Sequence, residues 1–386
     1  MTYALLTVAI LCLLIAAHPF GTYPLSLVVV RRFRRQAEPG TSGGDAPVTF
    51  AVCMCAYNEE SVIERKVRNL LELRERDPDV EILIYVDAAT DRTGEILQRY
   101  ASQLTVHVSP TRHGKTYGMN LLSSQARADV LVFTDANVML DPDCLRDLRR
   151  HFDDPQIGCV CGNLTYVNGA ASVTAASGSL YWRFEEAVKR LEADTGSTIG
   201  ADGSIFAVRR SLRRPPPDHI IDDMYVSLMV MVDGYRVVQV RDVRAYEESV
   251  SSATEEFGRK VRIGCQAFNV HRLFRPCLRR LDGLTRYKYV SHKLIRWLSI
   301  YFLAASALAF LGALVSAGYA GLALLLIALA GFAAMLGYKW SIKPFAQILD
   351  ILTALAGAGL GVWRSLRGDR YQTWTPANSI RGAGST

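Results

Sequence analysis

Four polar segments of the 386-residue chain carry side chains that suit a nucleotide, a diphosphate or a metal ion. Each follows a run of apolar residues. They are Tyr57-Asn58-Glu59-Glu60, residues 87–93, Arg112-His113-Gly114-Lys115 and Thr134-Asp135-Ala136-Asn137. The chain has neither a Walker A phosphate loop nor the glycine-rich dinucleotide fingerprint, which disfavours an ATPase or a dinucleotide enzyme.

An alternation of strands and helices positions these segments. Continuous apolar runs predict strands, and the stretches between them have helical periodicity. The predicted strands are 48–56, 80–86, 104–108 and 130–134, and the predicted helices are 59–74, 93–100, 115–127 and 143–152. This pattern predicts an α/β fold with a mostly parallel sheet covered by helices on both faces. Ligands of such sheets bind beyond the carboxyl ends of the strands, where the four polar segments lie.

The order and spacing of the segments resemble the family 2 glycosyltransferases, which have the GT-A fold. More narrowly, they are similar to the membrane branch that includes hyaluronan and cellulose synthases and exopolysaccharide enzymes. The resemblance covers about residues 48–300 and begins with residues 55–60, residues 87–93 and His113-Gly114-Lys115 with Asn120. It implies an inverting hexosyltransferase whose donor is a nucleotide-sugar, most simply a UDP-sugar.

The resemblance also implies which residues surround the donor. They are Ala56, Tyr57, Asn58, Glu59, Asp87, Lys115, Asp135, Ala136, Arg259 and Arg262. Asp91 and Thr93 can equally cap the helix that follows them, and Lys115 can equally be a solvated surface lysine.

Asp135-Ala136-Asn137 stands where the family carries its DxD metal motif. The resemblance therefore implies Mg²⁺ or Mn²⁺ bound by Asp135 and Asn137, because a divalent cation offsets the charge of a leaving diphosphate. The second acid of the motif is an amide here, which coordinates a hard cation more weakly. We expect Asp135 and the diphosphate to hold the metal chiefly.

Two further segments resemble the acceptor side of the family's site. Residues 200–210 are similar to a glycine-rich segment beside the sugar and acceptor, which implies a pocket formed by Gly200, Asp202 and Gly203. Asp202 can equally be a turn former. Asp222-Asp223 resembles the family's acidic pair, with Asp223 as the general base for the acceptor hydroxyl. Two acids at a helix start can also simply stabilise the helix dipole.

Arg259, Arg262 and Ile263 occupy the place of the family's QxxRW motif. Arg262 can still clamp phosphate oxygens bidentately. Because the tryptophan is absent, a single sugar addition is favoured over a processive polysaccharide synthase.

Apolar stretches at both ends predict membrane segments. Residues 3–30 are long enough to cross a bilayer and end in Arg31-Arg32-Phe33-Arg34-Arg35, which predicts an anchor with a cytosolic domain after it. Residues 298–316, 320–336 and 345–362 are apolar too. Three crossings would leave the tail outside, whereas Arg364, Arg367 and Arg370 argue for inside. Either the third stretch is re-entrant or interfacial, or the charge rule fails here.

The third stretch contains Asp350, which suggests either a functional carboxylate or one near the cytosolic interface. Residues 287–297 mix aromatics with cations and predict an interfacial helix in which His292 is structural.

The predicted organisation is an anchor (1–35), a linker (36–47), a cytosolic GT-A domain (48–283), interfacial and membrane helices (284–363) and a basic tail (364–386). The expected acceptor is a lipid-linked oligosaccharide or a polysaccharide, at the inner (plasma) membrane. The net charge is +7, and much of the basic excess flanks membrane segments, where it would meet lipid headgroups. No basic tract interleaved with aromatics suggests a nucleic-acid partner. A non-catalytic scaffold of an exopolysaccharide assembly stays open as an alternative, whereas so few spans disfavour a transporter or channel subunit.

Overall fold

The computed structural model describes residues 1–33, 48–167, 173–248 and 253–374. Its centre is one eight-stranded sheet with strand order β3-β2-β1-β4-β7-β6-β8-β5. The strands are β1 (Phe50–Ala56), β2 (Glu81–Asp87), β3 (Thr105–Ser109), β4 (Val130–Asp135), β5 (Met139–Leu140), β6 (Ile157–Tyr166), β7 (Ile205–Arg209) and β8 (Arg236–Glu247). The predicted linker 36–47 lies outside the described residues.

The sheet is mixed, with four parallel and three antiparallel pairings. The four strands predicted from the sequence, β1 to β4, are all parallel neighbours, so their carboxyl ends share one edge. The antiparallel β7 lies between β4 and β6, with Val132 opposite Ala207. The α/β fold class is therefore confirmed, and the antiparallel strands complete the second half of the sheet.

Helices cover both faces of the sheet. α3 (Ile63–Arg76), α4 (Thr93–Gln98) and α6 (Cys144–Phe152) pack on one face. α5 (Lys115–Gln125), α8 (Asp222–Val232) and α9 (Ala253–Phe274) pack on the other face. Every residue of β1 is buried, because successive side chains point to opposite faces and both faces are covered. The longer α7 (Val173–Asp194) follows β6 and leads to the acceptor-side segment.

The N-terminal apolar stretch is divided into two helices. α1 (Thr2–Ala17) continues as a 3₁₀ turn, His18–Phe20, and α2 (Thr22–Phe33) begins after Gly21. Only Thr2–Phe20 is long and apolar enough to cross a membrane. The fully buried Tyr23 and Leu27 of α2 pack against Val188 of α7. The expected span of residues 3–30 is therefore shortened, because its second half docks onto the domain.

Three further helices are long and apolar enough to cross a membrane, by length and composition. They are the continuous helix Gly283–Ser316, α12 (Ala320–Trp340) and α13 (Phe345–Leu366). The first consists of α10 (Gly283–Lys288), a π-helical segment Tyr289–Leu294 and α11 (Ile295–Ser316). α1 packs along α11, where the Thr2 and Ser316 hydroxyls are 2.7 Å apart and Ser306 donates to the Ala9 carbonyl.

α13 runs beside α9 of the domain. Gly361 lies so close to the Val261 carbonyl that an added Cβ would be 2.5 Å from it, and the Arg272 guanidinium donates to the Ser365 carbonyl. After α13 the chain returns to the carboxyl edge of the sheet. There the Gln266 amide of α9 donates to the Tyr371 carbonyl at 2.8 Å.

Candidate active site

The polar segments that follow β1 and β2 hold each other in place. Thr90 donates its backbone N–H to the Asn58 amide oxygen at 2.8 Å, and Asn58 adopts a positive φ of 53°. The Glu59 N–H donates to the Thr93 hydroxyl, whose own backbone N–H donates to Asp91. Asp91 and Thr93 therefore tie the start of α4 to the turn after β1, and of the two only the Asp91 carboxylate accepts from an N–H at that helix start.

Asp87 is fully buried at the end of β2. Its carboxylate accepts hydrogen bonds from the backbone N–H groups of His113 and Gly114 and from the Arg112 guanidinium at 2.9 Å. Asp87 thereby fixes the loop that precedes Lys115. Gly114 has a φ of 93°, and an added Cβ there would be 2.0 Å from the Gln372 carbonyl, so only glycine fits.

The first turn after α13 forms one wall of the expected nucleotide pocket. The Arg112 guanidinium lies 3.3 Å above the Tyr57 ring and donates to the Trp374 carbonyl at 2.7 Å. The Trp374 ring meets Tyr57 edge-on at 6.1 Å, and the Gln372 amide donates to the His113 carbonyl. Three parts of the chain that are distant in sequence therefore meet at Tyr57. Residues 375–386 of the predicted basic tail lie outside the described residues.

Lys115 is at the start of α5 and its ammonium is 2.5 Å from the Asp135 carboxylate at the end of β4. Burial by itself lowers the pKa of Lys115, but the attraction of Asp135 and of the two aspartates of α8 outweighs it and raises the pKa. Lys115 is therefore a fixed cation within the site. The alternative of a solvated surface lysine does not describe it.

The acidic pair opens α8, as expected. Asp222 is buried, and Asp223 is partly exposed to the site. Burial, and then the charge of Asp222, raise the pKa of Asp223 to about 7, although Lys115 acts in the opposite direction. A Cβ added to Gly203 would lie 3.0 Å from the Asp223 carboxylate and 3.3 Å from the Lys115 ammonium. Gly203 thus leaves room for these two groups to converge.

Asp202 and Gly200, the other two residues of the expected acceptor pocket, have different surroundings. Asp202 accepts hydrogen bonds from the backbone N–H and the hydroxyl of Ser204, which is the geometry of a turn former. Gly200 has a φ of 82°, and an added Cβ would be 3.5 Å from Cε of Lys293. This contact places Gly200 beside the continuous helix Gly283–Ser316, which is long enough to cross a membrane.

The residues in the QxxRW position lie on α9, next to the segment that follows α13. Arg262 donates to the Gln266 amide oxygen at 3.4 Å, and Gln266 donates to the Tyr371 carbonyl at 2.8 Å. Burial, and then the charge of Arg259, lower the pKa of Arg262. Arg259 instead points to an acidic group, with Glu256 at 3.7 Å. Arg262 is therefore the guanidinium that borders the tail.

Asn137, the second expected metal ligand, contacts the end of β8. The Asn137 amide donates to the Glu247 carboxylate at 2.9 Å. Burial raises the pKa of Glu247 to about 7; Arg259 lowers it, and Asp135 raises it. In the described part of the chain, no three His, Cys, Asp or Glu side chains form a metal-binding group. The Asp135 carboxylate and the Asn137 amide each carry oxygen atoms of the type that a hard divalent cation prefers.

Residues 51–214 match the family described as Glycosyl transferase family 2. These residues form a glycosyl transferase family 2 domain. The expected fold class is confirmed, and the matched domain agrees with the expected enzyme class, a glycosyltransferase.

Two curated relatives illustrate how far the similarity extends. The poly(ribitol-phosphate) beta-N-acetylglucosaminyltransferase TarS of Staphylococcus aureus (strain Mu50) is 24% identical over 123 residues, which cover 31% of this chain and 22% of TarS. The beta-monoglucosyldiacylglycerol synthase of Synechocystis is 29% identical over 150 residues, which cover 36% of this chain and 31% of that protein. The chain therefore spans less than a third of the length of either relative.

One solved structure resembles nearly the whole chain. It is the mannosyltransferase PcManGT from Pyrobaculum calidifontis in complex with GDP-Man and Mn²⁺. It has a TM-score of 0.69 and 20% sequence identity, and the superposition covers 95% of this chain and 99% of that one. The shared fold thus includes the family 2 domain and most of the flanking helices.

Several residues of the site escaped sequence reasoning. Arg112 was noted only as part of a polar segment, and Gln266, Tyr371 and Trp374 carry no motif. Lys66 is fully buried beneath the Asp135 loop and donates to the Thr134 hydroxyl and the Val138 carbonyl. Its only signal in the sequence is a lysine on the apolar stripe of α3, beside Ile63 and Val67.

Proposed function

We propose that this chain is an inverting glycosyltransferase that moves a sugar from a UDP-sugar to the hydroxyl of a lipid-linked oligosaccharide at the cytosolic face of a membrane. The observation that carries the proposal is the convergence of Asp223 and the Lys115–Asp135 pair at Gly203, within a family 2 domain. A general base and a fixed cation therefore border one space, as transfer from a diphosphate to a hydroxyl requires.

In the proposed reaction Asp223 takes the proton of the acceptor hydroxyl. The acceptor oxygen forms a bond to the anomeric carbon while the bond from that carbon to the diphosphate oxygen breaks. A base is most effective when its pKa is near the working pH, and the pKa of Asp223 is about 7. Lys115 and Arg262 carry the positive charge that stabilises the leaving diphosphate.

The donor set fits a divalent cation. Mg²⁺ is usually held by one or two protein oxygens together with substrate phosphates and water, and this site offers the Asp135 carboxylate and the Asn137 amide. A bound Mg²⁺ or Mn²⁺ would neutralise charge on the diphosphate. The Mn²⁺ named with PcManGT supports this assignment.

The nucleotide itself is assigned to the space around Tyr57. The Tyr57 ring, the Arg112 guanidinium and the Trp374 ring form a wall suited to stacking against a base. Ala56, Asn58 and Glu59 form the turn that carries Tyr57, and Asp87 acts through the loop that it fixes.

The acceptor is assigned to the membrane side of the site. Gly200 lies against Lys293, in the helix that leads into a membrane-length segment. In this proposal α1, α11 and α12 cross the membrane, and α13 lies along its surface beside α9. The name of the Synechocystis relative, a glucosyldiacylglycerol synthase, supports a lipid acceptor.

The test is turnover by the purified full-length protein. Release of nucleotide diphosphate is followed with a panel of UDP-sugars, with membrane extract as acceptor and with Mn²⁺ or a chelator. We expect one donor to be turned over, and product analysis to show one added sugar. No turnover of any donor would favour a non-catalytic scaffold, and long polymers would favour the processive alternative.

The matched variants for this assay lie on one helix. Asp223→Asn removes the proposed base at the start of α8, and Asp233→Asn alters the carboxylate that caps its far end beside Arg214. Only the first should abolish turnover. Equal losses in both would indicate damage to α8 and would remove the support for Asp223 as the base.

A further inference from the structure

We propose that Glu247 is a positioning residue for the metal site: its hydrogen bond to the Asn137 amide turns the oxygen of that amide towards the cation. This inference rests on the proposed function, because it presupposes a divalent cation at Asp135. Glu247 belongs to no motif of the sequence, and β8 was not among the predicted strands. The proposal explains how asparagine can serve where an aspartate would be the stronger ligand.

The physical basis is the asymmetry of an amide group. A carboxylate offers two equivalent oxygens, so its orientation hardly matters. An amide offers one oxygen, and its NH₂ group repels a cation. An unrestrained asparagine therefore spends part of its time with the wrong end towards the metal. A partner whose fixed oxygen accepts a hydrogen bond from the amide removes this ambiguity, because it selects the NH₂ group.

Glu247 is such a partner. Its carboxylate accepts from the Asn137 Nδ2 atom at 2.9 Å. Glu247 is the last residue of β8, which pairs with β5 and β6; Met139 is opposite Tyr246, and Tyr166 is opposite Glu247. The Val167 N–H also donates to the Glu247 carbonyl at 3.0 Å. The sheet therefore fixes the position of this carboxylate relative to the loop that carries Asp135.

A second charged residue lies near this contact. The Arg259 guanidinium is close enough for its charge to act on the Glu247 carboxyl. Arg259 is the residue that replaces glutamine in the QxxRW position. Two departures of this chain from the family pattern, Asn137 and Arg259, thus meet at one carboxylate. Partners of this kind typically change metal affinity by about 10–100-fold.

The experiment measures Mn²⁺ binding rather than turnover. Mn²⁺ is titrated into full-length protein in detergent, with and without UDP, and free Mn²⁺ is followed by electron paramagnetic resonance. A protein-free titration corrects for the Mn²⁺ that UDP binds. We expect Glu247→Ala to weaken Mn²⁺ binding about 10–100-fold. Glu247→Gln keeps an acceptor oxygen and should restore most of the affinity.

The matched control is Glu248→Ala, at the adjacent position, where the carboxylate pairs with Arg65 at 3.9 Å. It should leave Mn²⁺ binding unchanged. Thermal unfolding in metal-free buffer shows whether each variant is folded. If Glu247→Ala binds Mn²⁺ as the unmodified protein does, the proposal is overturned.

A second background separates positioning from direct coordination. In Asn137→Asp the side chain has two equivalent oxygens, so Glu247→Ala should change Mn²⁺ affinity there by no more than about twofold, the scatter of independent substitutions. An undiminished loss in that background would show that Glu247 binds the metal itself and would overturn the positioning role. Absence of Mn²⁺ binding by the unmodified protein would instead remove the proposed metal site, and this inference with it.

Discussion

The Lys115 ammonium lies 2.5 Å from the Asp135 carboxylate, so the donor side of the site contains its own fixed cation. Lys115 follows β3 and Asp135 ends β4, and the two strands are separated in the sheet by β2 and β1. The ion pair therefore connects the segments that follow these two strands at the carboxyl edge of the sheet. A donor diphosphate that enters the site therefore meets a positive charge already in place.

We expect Lys115→Met to weaken UDP-sugar binding by about tenfold to a hundredfold, the usual range for losing a hydrogen bond to a charged group. Calorimetric titration of the donor measures this change. Lys66→Met is not a suitable control, because Lys66 holds the Asp135 loop. Lys260→Met is the better comparison, because the Lys260 ammonium pairs with Glu256 of the same helix at 2.9 Å. Unchanged donor affinity in Lys115→Met would contradict the role of the cation.

Asp223→Asn should lower kcat about 10²–10⁴-fold, because it removes the general base and keeps the shape of the side chain. Steady-state kinetics of nucleotide diphosphate release measure the loss. Donor affinity should stay within a few-fold of the unmodified protein, since the acceptor proton is the group affected. A parallel loss of donor binding would assign Asp223 to the donor rather than to the acceptor.

The pH profile of kcat/KM should rise as Asp223 loses its proton, with a midpoint near 7, because the base acts only when deprotonated. The Lys115 charge lowers the pKa of Asp223. Lys115→Met should therefore move the midpoint of the profile to higher pH. A midpoint that stays in place, or moves to lower pH, would contradict the coupling of the two residues.

Asp223 should also affect stability in a pH-dependent way. Its pKa is about 7 in the folded protein and about 4 in an unfolded chain, so the folded state holds the proton over a wider range. The stabilisation from this proton is complete below about pH 4 and is lost as the pH rises through about 7. Asp223→Asn should therefore gain stability relative to the unmodified protein between pH 4 and 8, as thermal unfolding in detergent can show.

Trp374→Ala should weaken nucleotide binding by a few-fold to about tenfold, because one aromatic wall beside Tyr57 is lost. Trp363→Ala, on an exposed position of α13, is the matched control. Competition by UDP against a fluorescent nucleotide measures both. Tighter binding in Trp374→Ala would show that the segment after α13 competes with the nucleotide instead of holding it.

The packing of α2 against the domain should depend on the buried carboxylate of Glu192. Glu192 accepts hydrogen bonds from Tyr23 and from the Ile199 N–H, and lies 2.8 Å from His292 Nδ1. Tyr23→Phe should reduce the free energy of unfolding by about 1–3 kcal/mol, since a buried acceptor loses a donor. Tyr3→Phe, at an exposed position of α1, should be neutral. An unchanged unfolding temperature in Tyr23→Phe would contradict this role.

The parts of the fold that depend on local patterns could be read from the sequence. β1 to β4 and the helices between them were predicted within a few residues, because each strand is a continuous apolar run and each helix has a clear periodicity. Asp135 and Lys115 could be placed at one edge for the same reason. His292, which we expect to be structural, is buried, and both of its ring nitrogens contact carboxylates.

Other features depended on contacts between distant segments. β7 and β8 were not predicted, and both pair with strands that are distant in the sequence or that lie on the other side of a long helix. The docking of α2 against α7 and the return of residues 371–374 to Tyr57 depend on partners more than a hundred residues away. Likewise, the residue type of Asp87 suggested contact with a ligand, whereas burial and three donors from one loop make it a support for that loop.

The sequence by itself determined the fold class, the edge of the sheet at which the site lies and the chemical types available there, because the succession of strands and helices along the chain and the residue types are local properties. Only the tertiary structure decided which groups converge. It placed Asp223 and Lys115 around Gly203, Glu247 beside Asn137 and Trp374 beside Tyr57, because side-chain proximity follows from packing between segments far apart in the chain. The burial that raises the pKa of Asp223 arises in the same way.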